Sequence, residues 1–353
     1  MKKVYEETKI GNILLKNRLA MAPMTRSRAQ VDGTPGELAA EYYGQRSSFG
    51  LIITEGTQPS DDGQGYLNTP GIYTQAHIDG WKKVTSRVHN EGGRIFIQLM
   101  HAGRVSHPDN TPHHRQPVAP SAIAPGAEMF TAEGMKDIPT PRELSKEEIQ
   151  EVVKEFRSAA AAAIKAGADG VEIHGANGYL IQQFLSENAN HRKDEYGGTI
   201  ENRARFAIEV TKAVIEEIGA EKTGIRFSPE GTLNGIVEGD SGNEVYRYLI
   251  GELSNLSMAY LHLMHFGNEP LLKEIRQLWT QPLIVNRMGR PLDQLSVDLD
   301  NGMADIASVG VWALANPDFI ERLEENGPFN EPDPTTLYTG GAKGYTDYPF
   351  KNE

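Results

Sequence analysis

The stretch Gly170-Val-Glu-Ile-His-Gly-Ala-Asn-Gly-Tyr179 decides how the rest of the chain is read. Val171 and Ile173 are β-branched and apolar, and Glu172 between them points the other way, which is the alternation of a strand. The strand breaks at His174-Gly175 into a polar, glycine-spaced turn. An imidazole, a carboxamide and a phenol follow in quick succession, at His174, Asn177 and Tyr179. The first two can donate to an oxygen that is gaining charge, and the third can release a proton. In a parallel barrel such a turn lies at the C-terminal mouth, where chemistry is placed.

Working outward, the same strand signal recurs on both sides. Residues 19–24, 50–56 and 94–99 precede it, and 224–228, 259–263, 283–285 and 305–309 follow it. The first of them, 19–24, is apolar without alternation, as expected of a strand buried on both faces. Helical patterns fill the gaps at 38–49, 75–90, 145–166, 200–218, 244–256, 271–279, 292–299 and 316–325. The helix from 145 opens on a capping box, Ser145-Lys-Glu-Glu148, and Gly167 stops it. Eight strands alternating with helices predict an α/β fold, a (β/α)8 TIM barrel formed as one domain over residues 1–353. A short hairpin at 10–15 is expected to cover the closed end. The irregular segment 101–142, rich in Pro, His and Gly, is read as a lid after the third strand, because periodic signals resume beyond it. A Pro- and Gly-rich tail covers about 328–353.

Composition narrows the function. The net charge of −13 argues against nucleic acid as the main partner and against an anionic membrane surface. No apolar run approaches the roughly 20 residues of a membrane span. The chain has no cysteine, which excludes disulfides, cysteine-ligated zinc, cysteine-held iron–sulfur clusters and a thiol nucleophile. A cytoplasmic location is expected, with the protein a monomer or a homodimer.

Strand ends act as a filter for the site. They contribute Pro23, Met24, Thr25, Glu55, Gly56, Gln98, His174, Asn177, Tyr179, Arg226 and Gly310. No carboxylate pair suits glycoside hydrolysis, and no cluster has metal-ligand spacing; His262 and His265 are read as satisfied histidines. Neutral donors, one fixed cation, one imidazole and one phenol suit a planar cofactor rich in heteroatoms with a carbonyl substrate stacked on it. The loops after the seventh and eighth strands hold Arg287-Met-Gly-Arg290 and Gly310-Val311, where glycines allow close backbone approach to a phosphate. Taken singly, each of these residues also has an ordinary structural reading: Asn177 as a turn former, Tyr179 as packing, Met24 and Met100 as core, Arg287 and Arg290 as solvated charges.

In this order the residues resemble the Old Yellow Enzyme family of FMN-dependent ene-reductases, the group with N-ethylmaleimide reductase and nitrate-ester reductases. The pieces that carry the resemblance are Ala22-Pro-Met-Thr-Arg-Ser-Arg28, Gln98-Leu-Met-His-Ala-Gly-Arg104, His174-Gly-Ala-Asn-Gly-Tyr179 with Gln183-Phe-Leu-Ser186, Glu195-Tyr-Gly-Gly-Thr-Ile-Glu-Asn-Arg203, Ile225-Arg-Phe-Ser-Pro229, Ala315-Asn-Pro-Asp318 and Gly344-Tyr-Thr-Asp-Tyr-Pro349. The resemblance implies FMN across the barrel mouth. Pro23, Met24 and Gly56 would touch it through backbone, Thr25 would tune its potential, and Gln98 and Arg226 would hold its pyrimidine edge. Gly289, Arg290, Gly310 and Val311 would lie at its phosphate. His174 and Asn177 would bind the substrate oxygen and Tyr179 would donate the proton. Tyr66, Met100 and Tyr345 are expected in the substrate pocket.

The activity implied is NAD(P)H-dependent reduction of activated C=C bonds in α,β-unsaturated carbonyls and maleimides, extending to nitro compounds or nitrate esters. NADPH or NADH serves as co-substrate in alternation with the alkene. The chain departs from many relatives in carrying Val311 where they have an arginine, so Arg287 or Arg290 is expected to supply the charge at the phosphate. The competing reading is a cofactor-free barrel lyase or isomerase that binds a phosphorylated substrate at Gly289 and Gly310.

Overall fold

The computed structural model describes residues 2–352. Eight parallel strands close into a barrel: β1 (Leu19–Met21), β2 (Leu51–Ile53), β3 (Ile95–Leu99), β4 (Gly170–His174), β5 (Thr223–Phe227), β6 (Tyr260–His265), β7 (Leu283–Arg287) and β8 (Ile306–Val309). Each pairs with the next in sequence, and β8 returns to β1. This is the expected (β/α)8 architecture.

Alternation along the strands makes two cores. Val171, Ile173, Ile225, Leu261 and Val285 face outward and join the large cluster under the surrounding helices. Ala20, Leu51, Ile53, Phe96, Tyr260, Ile284 and Ile306 fill the barrel's lower interior. Ile10 and Leu15, from the antiparallel hairpin Thr8–Ile10 and Ile13–Leu15, pack into that inner cluster and cover the closed end. Gly170 makes room for Phe96: an added Cβ there would sit 2.5 Å from the ring. The helix Lys146–Lys165 has the expected capping box, with Ser145 Oγ accepting from the Glu148 amide and Glu148 accepting from the Ser145 amide. Loss of such a cap costs about 1 kcal/mol.

Three helical readings differ from the structure. The segment 292–299 is two short turns, Leu292–Gln294 and Val297–Asp300, and Arg287 and Arg290 both hold Asp298 in the second. The last helix starts at Phe319, not 316, because Pro317 drives Asn316 out of helical conformation. A separate turn, Val311–Ala315, precedes it. The helix Leu180–Leu185 has no sequence signature, since all six residues are buried and leave no polar face to set a period.

The segment 101–142 is irregular but tied down. Val118–Ala119 pairs with Arg142–Glu143, and a hairpin forms from Glu128–Thr131 and Gly134–Asp137. Arg104 donates to the carbonyls of Ile123 and Gly235, anchoring this segment to the loop after β5.

Candidate active site

A cavity of about 1140 Å³ opens at the C-terminal ends of the strands. Pro23, Met24, Thr25, Gly56, Gln98, Met100, His174, Asn177, Tyr179, Arg226, Gly289, Arg290, Gly310, Val311 and Tyr66 all line it. Of the residues singled out from the sequence, Glu55 and Tyr345 do not: the Glu55 carboxylate is turned to the Arg26 and Ser27 amides, and Tyr345 is packed elsewhere. The Tyr345 ring is fully buried, stacked on Tyr42 at 4.3 Å, with the Arg26 and Arg28 guanidiniums 5.0 and 4.7 Å from its centre. Cation–π attraction and burial hold it there, away from the cavity. Tyr338, from the same tail, lines the mouth instead. Arg26 and Arg28 also donate to the carbonyls of Leu337, Gly344 and Thr336, so the Ala22–Arg28 loop clamps the tail.

The turn after β4 is built to aim its side chains. Asn177 adopts a left-handed φ of 57°, which asparagine tolerates better than most residues. Its amide donates to Ser228 Oγ at 2.9 Å, and its carbonyl accepts from Asn234. Gln182 accepts from the Gly178 amide, and Gln183 donates to the Gly178 carbonyl. These bonds leave the Asn177 carboxamide oxygen buried without a protein partner. The Ala176 amide donates to His174 Nδ1 at 3.2 Å, so the ring proton sits on Nε2. Burial, then the nearby Arg226 charge, pushes the imidazole well below its ordinary pKa and keeps it neutral. His174 therefore offers an N–H to the cavity without carrying charge.

Tyr179 lies edge-on to His174, with ring centres 5.0 Å apart, and its hydroxyl is 3.0 Å from that of Tyr66. Burial, then Tyr66, raises its pKa well above the ordinary phenol value, so the proton is retained near neutrality. Met100 packs beside Tyr179, and Gly56 gives it space: a Cβ on Gly56 would lie 2.4 Å from the Met100 sulfur.

Arg226 is the most telling group. It is 4% exposed, and its guanidinium donates to no described residue. A buried cation without hydrogen bonds is costly unless a ligand completes it. The two loop arginines differ from it. Arg287 spends its donors on Asp298, Glu269 and His265. Arg290 gives only Nη1, to Asp298, and keeps the rest of its fork free at the cavity wall. Among the described residues no group of His, Asp or Glu could hold a metal ion.

The model of the NADH:flavin oxidoreductase / NADH oxidase family matches residues 3–330. The chain belongs to that family. A protein of Leishmania infantum named as a probable flavin mononucleotide-dependent alkene reductase is 40% identical, over 97% of this chain and 95% of that protein. The 12-oxophytodienoate reductase 2 of Arabidopsis thaliana is 37% identical, over 97% and 94%. Solved structures agree. Morphinone reductase superposes with a TM-score of 0.95 at 43% identity, covering 99% of this chain and 96% of that one. An old yellow enzyme homologue from Zymomonas mobilis gives 0.95 at 40%, covering 98% and 99%. The expected FMN-dependent oxidoreductase of the ene-reductase kind stands with this family, and the lyase alternative is not favoured. No helix among the described residues is long and apolar enough to cross a membrane.

The sequence reading passed over three things. Glu172 and Ser308 are the partners that satisfy His262, in a bonded set at the cavity floor. The hairpin Glu128–Asp137 supplies Phe130 and Met135 to the rim. Gln182 and Gln183 brace the turn after β4. Only Glu172 had a usable signal, since alternation puts it on the same side of β4 as His174.

Proposed function

We propose that the cavity holds FMN along its floor and reduces activated C=C bonds, using NADH or NADPH as the reductant. The observation that carries this reading is Arg226, a buried cation whose guanidinium has no hydrogen-bond partner among the described residues, beside the neutral His174 donor and the protonated Tyr179. Bound FMN would supply the chemistry the side chains lack, accepting a hydride from the nicotinamide and passing it to the β-carbon of the alkene.

The chain's own groups do the rest. Arg226 and Gln98 bind the pyrimidine edge of the cofactor, and Thr25 donates at the other side of the ring. Arg290, with the backbone at Gly289, Gly310 and Val311, receives the phosphate. His174 Nε2 and the Asn177 carboxamide donate to the substrate's electron-withdrawing oxygen and stabilise the charge that develops there, a preorganised electrostatic effect. Tyr179 delivers its proton to the α-carbon, so a hydride and a proton together saturate the double bond. Tyr66, hydrogen-bonded to Tyr179, orients that hydroxyl. The substrates are α,β-unsaturated carbonyls and maleimides, with nitro compounds or nitrate esters as further acceptors. The protein is placed in the cytoplasm, a location that the absence of cysteine permits, as a monomer or homodimer.

The test is anaerobic stopped-flow spectroscopy of the purified protein. A yellow protein bleached by NADH or NADPH and recoloured by 2-cyclohexenone supports the reading. A colourless protein that takes up no flavin on reconstitution sinks it.

A further inference from the structure

Below the cavity the barrel carries a buried charge that the proposed chemistry does not use. Glu172 is 0% exposed in the barrel interior. Its Oε1 accepts from Gln98 Nε2 at 2.8 Å, and its Oε2 lies 2.9 Å from His262 Nδ1. His262 Nε2 is in turn 2.9 Å from Ser308 Oγ. Burial pushes His262 below its ordinary pKa, so the ring is neutral. Burial works against ionised Glu172, but His262, Arg226 and Gln98 outweigh it and hold the carboxyl below its ordinary value.

Those states place the hydrogens along the Gln98–Glu172–His262–Ser308 bonds. An ionised carboxylate only accepts. The His262 proton must therefore be on Nδ1, and the Ser308 hydroxyl donates to Nε2. By the same logic the amide nitrogen of Gln98 faces Glu172, so its carbonyl oxygen is left as the acceptor that Gln98 offers to the cavity it lines. A flavin carries an imide N–H between two carbonyls, and such a donor needs an acceptor opposite it. Arg226, on the neighbouring strand and lining the same cavity, makes the floor neutral in total with Glu172.

We propose that Glu172 is a positioning residue for the flavin: it locks Gln98 with its oxygen toward the cavity, and it offsets Arg226 so that the bound cofactor meets a balanced floor. This rests on the flavin reading above. Glu172 touches neither cofactor nor substrate, and acts through Gln98 and through its charge. Two variants separate the two effects. Glu172→Gln removes the charge and leaves Arg226 uncompensated, which favours the more negative, reduced cofactor. Glu172→Asp keeps the charge but withdraws the carboxylate from Gln98.

The experiment titrates FMN-stripped protein with oxidised FMN and measures the midpoint potential of the reloaded protein. Glu172→Gln should bind reduced over oxidised FMN about tenfold more strongly than wild type does, an upward shift of about 30 mV for a two-electron couple. Glu172→Asp should leave the potential near the wild-type value while weakening oxidised FMN about tenfold. A general loss of packing would lower thermal stability without moving the potential. Wild-type protein that binds FMN, with both variants folded and matching it in potential and affinity, overturns this inference alone. Wild-type protein that binds no FMN overturns the flavin reading with it. If Glu172→Gln does not fold, an unchanged FMN affinity in Glu172→Asp still refutes the lock on Gln98.

Discussion

The floor and the rim of the cavity are built on opposite terms. Floor side chains stand on barrel strands and are sealed: Gln98 is 1% exposed, Glu172 and His262 0%, Arg226 4%. Most are bonded to one another, and polarity is high. Rim side chains stand on loops and on the hairpin Glu128–Asp137, and they are apolar yet open to water: Phe130 is 55% exposed, Met135 57%, Met288 62% and Tyr338 58%. A bonded, buried set holds one geometry, which suits a cofactor that never changes. Flexible apolar groups repack around what arrives, which suits a varied substrate. The turn after β4 lies between the two and belongs to the floor by construction, since Gln182, Gln183 and Ser228 hold it.

The comparison breaks first at Tyr179. If it is the acid, Tyr179→Phe should slow alkene reduction by roughly 10²- to 10⁴-fold, the range for a positioned general acid. Reduction of the flavin by the nicotinamide should change little. Single-turnover measurements of the two half-reactions check this, and equal losses in both would remove the proton-donor role.

His174 and Asn177 come next. Removing either donor, as His174→Ala or Asn177→Ala, should cost about 10²- to 10³-fold in the alkene half-reaction, as for a lost oxyanion donor. His174 is neutral because burial and Arg226 lower its pKa. Its charge therefore does not change on going from pH 8 to pH 6, and the alkene half-reaction should be flat there. A wild-type inflection near pH 6.5 that disappears in His174→Ala would contradict the neutral donor.

How far the floor and rim could be read beforehand follows from the same contrast. Parallel strands buried on both faces spell themselves as apolar runs, so β1 to β8 were legible, as was the cluster of reactive types at their ends. The Glu172–His262 pair was not, because it joins residues 90 positions apart and depends on strand register. The hairpin Glu128–Thr131 and Gly134–Asp137 was invisible too: its turn, Ala132-Glu133, lacks the Asn-Gly or Asp-Gly chemistry that marks hairpins. Tyr345 was misplaced because its position is decided by Tyr42, Arg26 and Arg28, none of them near it in sequence.

The loop arginines sharpen the comparison at the phosphate end. Arg287 is saturated by Asp298 and Glu269, whereas Arg290 retains free donors. Arg290→Gln should therefore weaken FMN binding about 10- to 100-fold, the worth of a charge-assisted hydrogen bond, with little change in melting temperature. Arg287→Gln should do the reverse, lowering the melting temperature by leaving buried Asp298 short of a partner. Fluorescence titration with FMN and thermal unfolding of both variants distinguish the two arginines. The opposite pattern would return the phosphate to Arg287.

The smallest effect is expected at the rim, and it tests whether the rim chooses substrates at all. Phe130 and Met135 are cross-strand partners on the hairpin and both line the mouth. An apolar group on a substrate that reaches them gains roughly 1–3 kcal/mol of burial, which is about 10- to 200-fold in specificity. Phe130→Ser with Met135→Ser should thus raise KM about tenfold for alkenes that carry a large apolar body. For 2-cyclohexenone, which carries no large apolar body, KM should stay within about twofold, and kcat should change for neither class because the proposed proton donor and oxygen-binding groups stand apart from the hairpin, on the turn after β4. Equal losses for small and large alkenes would mean that the hairpin shapes the floor as well, and the division between a fixed cofactor half and an adaptable substrate half would fail.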